Sequence, residues 1–192
     1  MRSLRFSCLV IAALFPDAAS AHEAFGNLGP FYAHMLHPVV DPTQGVLLVG
    51  MGALLARQSV ETVRSAYTVF AMASALTVVI LTVLPLTAPA VQVTAATAVL
   101  LGIITAIGLQ LPRLFVAVLC VLVAIIAALS SDGAPSTNSI QTAAGGALGL
   151  ALTVLFVWGA LDWVGERLHP VAAAVAGSWI AAVGLMVMAL PA

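Results

Sequence analysis

Three of the four histidines, His22, His34 and His37, fall with Glu23 and Asp41 between positions 22 and 41 of a chain that carries little other charge. His34, His37 and Asp41 stand at i, i+3 and i+7, a spacing that puts two imidazoles and a carboxylate on one side of a helix. Such a donor set suits Ni(II), Co(II), Zn(II) or Fe(II). Cleavage ahead of His22 would add an N-terminal amine beside its imidazole, a pair that chelates Cu(II) or Ni(II). The expected metal ligands are therefore His37, His34, Asp41 and His22, with no permanently bound cofactor. Pro38 and Pro42 disfavour helical angles at His37 and Asp41, so the spacing predicts a kinked or re-entrant segment lining a cavity. The alternative is a solvated loop with ordinary surface histidines.

The elements that must hold these side chains are apolar. The chain has 192 residues, 62% of them hydrophobic and 7% charged, and a mean hydropathy of +1.17, against about 25% charged residues in a soluble domain. A water-soluble globular protein is thereby excluded. All 6 basic residues are arginine, and the net charge of -1 offers no footprint for nucleic acid. Cys8 and Cys120 are too few for a four-cysteine zinc site and lie in segments that should never meet, so no disulfide is expected.

The first segment reads as an address. Arg2 and Arg5 precede a short apolar run, Pro16 breaks it, and Ala19-Ser20-Ala21 has the small-x-small form of a signal-peptidase site. A cleaved signal peptide over 1–21 is expected, followed by a six-span transmembrane domain over 22–192. Apolar stretches bounded by charge, Pro or Gly predict spans at about 43–56, 66–84, 91–111, 114–129, 140–161 and 171–190. These runs show no period of two, and in lipid every amide needs an internal partner, so the fold class is all-α and polytopic.

A cleaved signal leaves His22 outside, and the connections then alternate. Arg57, Arg64, Arg113 and Arg167, every arginine after the signal, fall in the three inside connections, as the positive-inside rule requires. The expected location is a bacterial inner membrane with the N-terminus in the periplasm. Gly145-x-x-x-Gly149 and Ala173-x-x-x-Gly177 predict close helix approach, and such small-residue faces are compatible with a homo-oligomer. Three spans before Arg113 and three after suggest an inverted repeat, although the halves share little beyond a His-Pro step each, His37-Pro38 and His169-Pro170.

No span contains a His, Lys, Arg or Glu, which disfavours a proton relay and a haem site. Ser74 and Ser178 have no base within the spans, so an enzyme is not expected. Threonines such as Thr77, Thr97 and Thr105 are expected to bond back to their own helix carbonyls, with Gln110 among the remaining neutral polar groups. Met51, Met72, Met186 and Met188 are expected to pack, as is Cys120.

With the His-bearing segment, the Gly-rich first span and the six small-residue-rich helices in view, the chain resembles the HupE/UreJ family. These are hydrogenase and urease accessory membrane proteins regarded as nickel or cobalt permeases. The residues His37-Pro38-Val39-Val40-Asp41-Pro42-Thr43-Gln44 are similar to the family's HPxxGxDH motif. His37 and Pro38 match its start; Asp41 stands at its Gly, and Thr43 and Gln44 stand at its Asp and His. A second, His-rich family motif would fall near 128–134, where this chain has Ser130, Ser131, Asp132 and Gly133. The resemblance implies a multi-pass permease for a divalent metal, Ni2+ or Co2+, with His37 carried over as a ligand. Its departures leave a second reading open, a non-transporting accessory protein for metalloenzyme maturation.

Overall fold

The computed structural model describes residues 29–84, 86–130, 139–167 and 169–189. The expected signal peptide and His22 lie outside the described residues. Those described form seven helices: α1 Gly29–Val40, α2 Pro42–Leu55, α3 Val60–Leu81, α4 Val91–Ile107, α5 Arg113–Leu129, α6 Ser139–Arg167 and α7 Ala172–Ala189, with no strand among them.

Three helices, α3, α6 over Ile140–Arg167, and α7, are long and apolar enough to cross a membrane. Taken together, α1 and α2 pass the same test as one element bent by 73°, a broken span or a re-entrant loop. The remaining two, α4 and α5, are apolar but shorter. Large apolar side chains such as Ile107, Val118, Phe156 and Trp179 stand exposed around the bundle, as expected of faces solvated by lipid tails.

The helix ends follow local chemistry more than hydropathy. Ser59 caps α3 by accepting from Thr62 N–H, so that helix starts a turn and a half before its apolar stretch and includes Glu61 and Arg64. Gly108, at φ 69°, ends α4 in the left-handed conformation that only glycine adopts cheaply. Span five extends through Asp162 and Glu166 to Arg167. The charged residues set the ends of the hydrophobic stretches without ending the helices.

Helix α2 runs through the centre. Leu47, Leu48, Met51, Ala53, Leu54 and Leu55 are all fully buried, the all-round burial of a core helix, and α4, α6 and α7 surround it. Around it, α4 pairs with α7, α3 with α5, and α1 with α6. The first pair is close because a Cβ on Gly102 would lie 2.6 Å from Ala181 N, and one on Gly177 would lie 2.7 Å from Gly102 O. Thus the partner of Ala173-x-x-x-Gly177 is α4. The partner of Gly145-x-x-x-Gly149 is α1, whose Phe31 and Met35 carbonyl oxygens occupy the space any Cβ would need.

The three arginine-bearing connections gather at one end of the bundle. Gln58 and Gln110 bond across the first two turns, Arg113 pairs with Glu61, and Arg57 shares a cleft with Asp162, Glu166 and Pro170 from the third.

Candidate functional site

The break between α1 and α2 brings together the buried polar groups at the opposite end. Pro38 lies inside α1, where its missing N–H leaves the carbonyl of residue 34 without that intrahelical bond. His37 nonetheless stays helical, contrary to the expectation that Pro38 would displace it. Its carbonyl is still used, accepting from Asp41 N–H at 2.9 Å, so the helix survives one more turn. Only Asp41 leaves helical angles, at φ -77° and ψ 111°. Its carboxylate accepts from Thr43 N–H at 2.8 Å and from Gln44 N–H at 3.3 Å, and Pro42 follows at the first helical position, where proline is favoured. Asp41-Pro42 is therefore a helix start, and the bend follows from it.

This geometry directs Gln44 back towards α1. His37 Nδ1 lies 3.2 Å from Gln44 Oε1, and Gln44 Nε2 donates to Ala127 O of α5 at 2.6 Å. His37 is 6% exposed and Gln44 is fully buried. The protonation pattern follows from these contacts. A carbonyl oxygen only accepts, so Ala127 O must face the amide NH2; Oε1 then faces His37, and Nδ1 must carry the proton. In neutral His37 the lone pair consequently sits on Nε2. Imidazoles that ligate metals are held this way, donating the other ring N–H to a carbonyl or carboxylate that fixes the tautomer. His34 repeats the pattern with a backbone oxygen, its Nδ1 lying 2.9 Å from Pro30 O.

Ala127 is in the last turn of α5, and the bond from Gln44 to its carbonyl ties the broken segment to α5. Sequence reasoning did not select Gln44 as a site residue. Its signals were those of a lone amide in the first turn of an apolar span and of the family motif's last His position.

Among the described residues no three of His, Cys, Asp and Glu converge so as to hold a metal ion. Asp41 is engaged as the cap of α2, and because the chain bends by 73° there the i, i+7 relation of a continuous helix no longer applies. Gln110 lies in the turn after α4, where it donates to Arg57 O, and so falls outside the spans.

Thr82 donates to Val79 O of its own helix, and Thr77, Thr97, Thr105 and Thr153 each donate to the carbonyl four residues back at 2.7–2.8 Å. Ser74 does not. It is fully buried in α3, and its Oγ has no hydrogen-bond partner. Met51 is buried, whereas Met72, Met186 and Met188 are exposed, so no thioether cluster forms among them. An apolar groove of about 430 Å³ flanks the break, lined by Met35, Pro38, Gly45, Thr153 and Phe156 among others.

No family model matches the chain, and no curated protein or solved structure matches it.

Proposed function

We propose that the protein is a multi-pass membrane permease of the HupE/UreJ type for a divalent transition metal, Ni2+ or Co2+, which it captures at His37. The observation that carries this reading is the buried His37–Gln44–Ala127 arrangement at a broken apolar helix. Burying a polar imidazole costs free energy, so one kept buried at a broken helix points to function, and broken helices are where transporters build substrate sites. The amide holds His37 in the tautomer that presents Nε2 as a ligand. His34, one turn earlier and oriented in the same way, and the amine and imidazole of His22 after cleavage supply the outer part of the capture path. Cargo must be released again, and a site with few strong ligands binds loosely enough to permit it.

In this reading α4 and α5 also cross the membrane. Each has 17 residues, about 25 Å at 1.5 Å per residue, which suits a locally thin bilayer. The six helices α2 to α7 then form three hairpins, each turning at the arginine end. That end faces the cytoplasm by the positive-inside rule, and the break at Asp41 faces the periplasm.

Nickel uptake by vesicles containing the purified full chain tests the proposal. Wild type should accumulate the ion, and the His34→Ala, His37→Ala double variant should lose at least tenfold of the rate. Equal uptake by both removes His34 and His37 from the path. No uptake by wild type leaves the accessory reading, in which the protein assists maturation of a metalloenzyme without moving ions.

A further inference from the structure

The two turns at the arginine end hold one another reciprocally. Gln58 Nε2 donates to Leu109 O at 3.2 Å, and Leu111 N–H donates to Gln58 Oε1 at 3.1 Å. In return, Gln110 Nε2 donates to Arg57 O. Glu61 and Arg113, both exposed, add an ion pair beside them. Every one of these bonds joins residues 51 to 53 apart, and Gly50 and Gly102 lie at the same separation in the helices above. The hairpins α2–α3 and α4–α5 are thus matched in register, and each turn grips the other with a glutamine at the same position. An inverted repeat of three and three spans does not describe this relation; two hairpins of like direction do.

One group in this contact is poorly served. The Arg57 guanidinium lies against Gly108, where any Cβ would collide with it. Its Nε is buried without a hydrogen-bond partner, and Arg57 forms no ion pair among the described residues. A cleft of about 200 Å³ runs from Arg57 to Asp162 and Glu166, which stand one turn apart on α6. The closed contact therefore keeps a buried donor unsatisfied while two carboxylates line the same cleft.

We infer that the paired turns are a clasp closing the inner mouth of the bundle, and that Arg57 is its moving part. Opening parts Gln58 and Gln110 and transfers the Arg57 guanidinium from Gly108 to Asp162 and Glu166. The clasp has two arrangements because the Arg57 guanidinium has two places to rest, against Gly108 where its Nε is unsatisfied or beside the two carboxylates of the cleft, and a gate needs such a bistable element. This inference rests on the transport reading above.

The test locks the clasp chemically. In a full chain with Cys8→Ser and Cys120→Ala, the exposed ion pair is replaced by Glu61→Cys and Arg113→Cys and bridged with a short bis-methanethiosulfonate, which dithiothreitol removes. Nickel uptake by vesicles and hydrogen exchange at the Leu111 amide are measured before bridging, after it, and after reduction. Bridging should slow both at least tenfold, reduction should restore both, and the Ni2+-induced rise in melting temperature should be unchanged throughout. Undiminished uptake or unchanged Leu111 exchange after bridging overturns the clasp alone. Absence of uptake before bridging overturns the transport reading and the inference with it.

Discussion

His37 Nδ1 lies 3.2 Å from Gln44 Oε1 across the break between α1 and α2, and the far end of the same amide is held by the Ala127 carbonyl at 2.6 Å. Because Ala127 O can only accept, the amide has one orientation and His37 one neutral tautomer. Nitrogen NMR of histidine-labelled protein should therefore show His37 protonated at Nδ1 when neutral. In Gln44→Leu that constraint disappears and two buried polar groups lose a partner. At about 0.5–1.5 kcal/mol for each lost hydrogen bond, the variant should melt a few degrees lower, read by thermal unfolding in detergent.

Position 44 faces an imidazole and stands where the resembled motif has its own. Gln44→His should accordingly bring a second ring to His37 and tighten Ni2+ binding at least tenfold by titration calorimetry. Equal affinity in the variant would show that the two positions cannot share an ion.

Asp41 is a cap before it is anything else. Asp41→Ala should cost about 0.5–2 kcal/mol, the usual loss on removing such a cap, whereas Asp41→Asn should cost little because asparagine caps equally well. Thermal unfolding separates these outcomes. A large loss in Asp41→Asn would mean that the charge, and not the cap, holds the break.

The glycines differ in what surrounds them. A Cβ at Gly149 runs into Met35 O of α1, while at Gly159 it meets nothing within 4 Å. Gly149→Ala should destabilise by about 1–3 kcal/mol, as forced overpacking does, and displace α1. Gly159→Ala should be neutral or stabilising by up to about 1 kcal/mol through helix propensity. Comparing the two melting curves in one detergent checks both.

Ser74 differs from Thr77, Thr97, Thr105 and Thr153, whose hydroxyls bond to their own helices. Its buried Oγ has no partner, so Ser74→Ala removes an unsatisfied polar group and should raise stability, by about 1 kcal/mol. A fall in melting temperature would show that the hydroxyl is engaged.

Much of the bundle was legible in the chain. Apolar runs placed the helices from α2 to α7, and the arginines grouped three connections that do meet at one end. Arg57, Arg113 and the start of α7 come together there because the hairpins all turn the same way. Helix α1 was not legible, since Pro38 within Gly29–Val40 argues against a helix, and its formation depends on glycines more than a hundred residues away admitting the Phe31 and Met35 carbonyls. Gln44 escaped notice for a related reason. Its meaning lies in a partner 83 residues distant, and no periodicity records that contact. Asp41 could have been read correctly, because an Asp followed by Pro ahead of an apolar run is a helix-start pattern.

The capture of a divalent metal at His37 is tested most directly by the effect of Ni2+ on thermal unfolding of the purified full chain, wild type against His37→Ala. A ligand that binds only the folded state stabilises it by about 2.7 kcal/mol at roughly 100 times its dissociation constant. For a chain of this size each kcal/mol raises the midpoint by about 2–4 °C. Wild type should therefore shift upward by several degrees with added Ni2+, and His37→Ala should not shift. An equal shift in both proteins, or none in wild type, would contradict metal capture at His37.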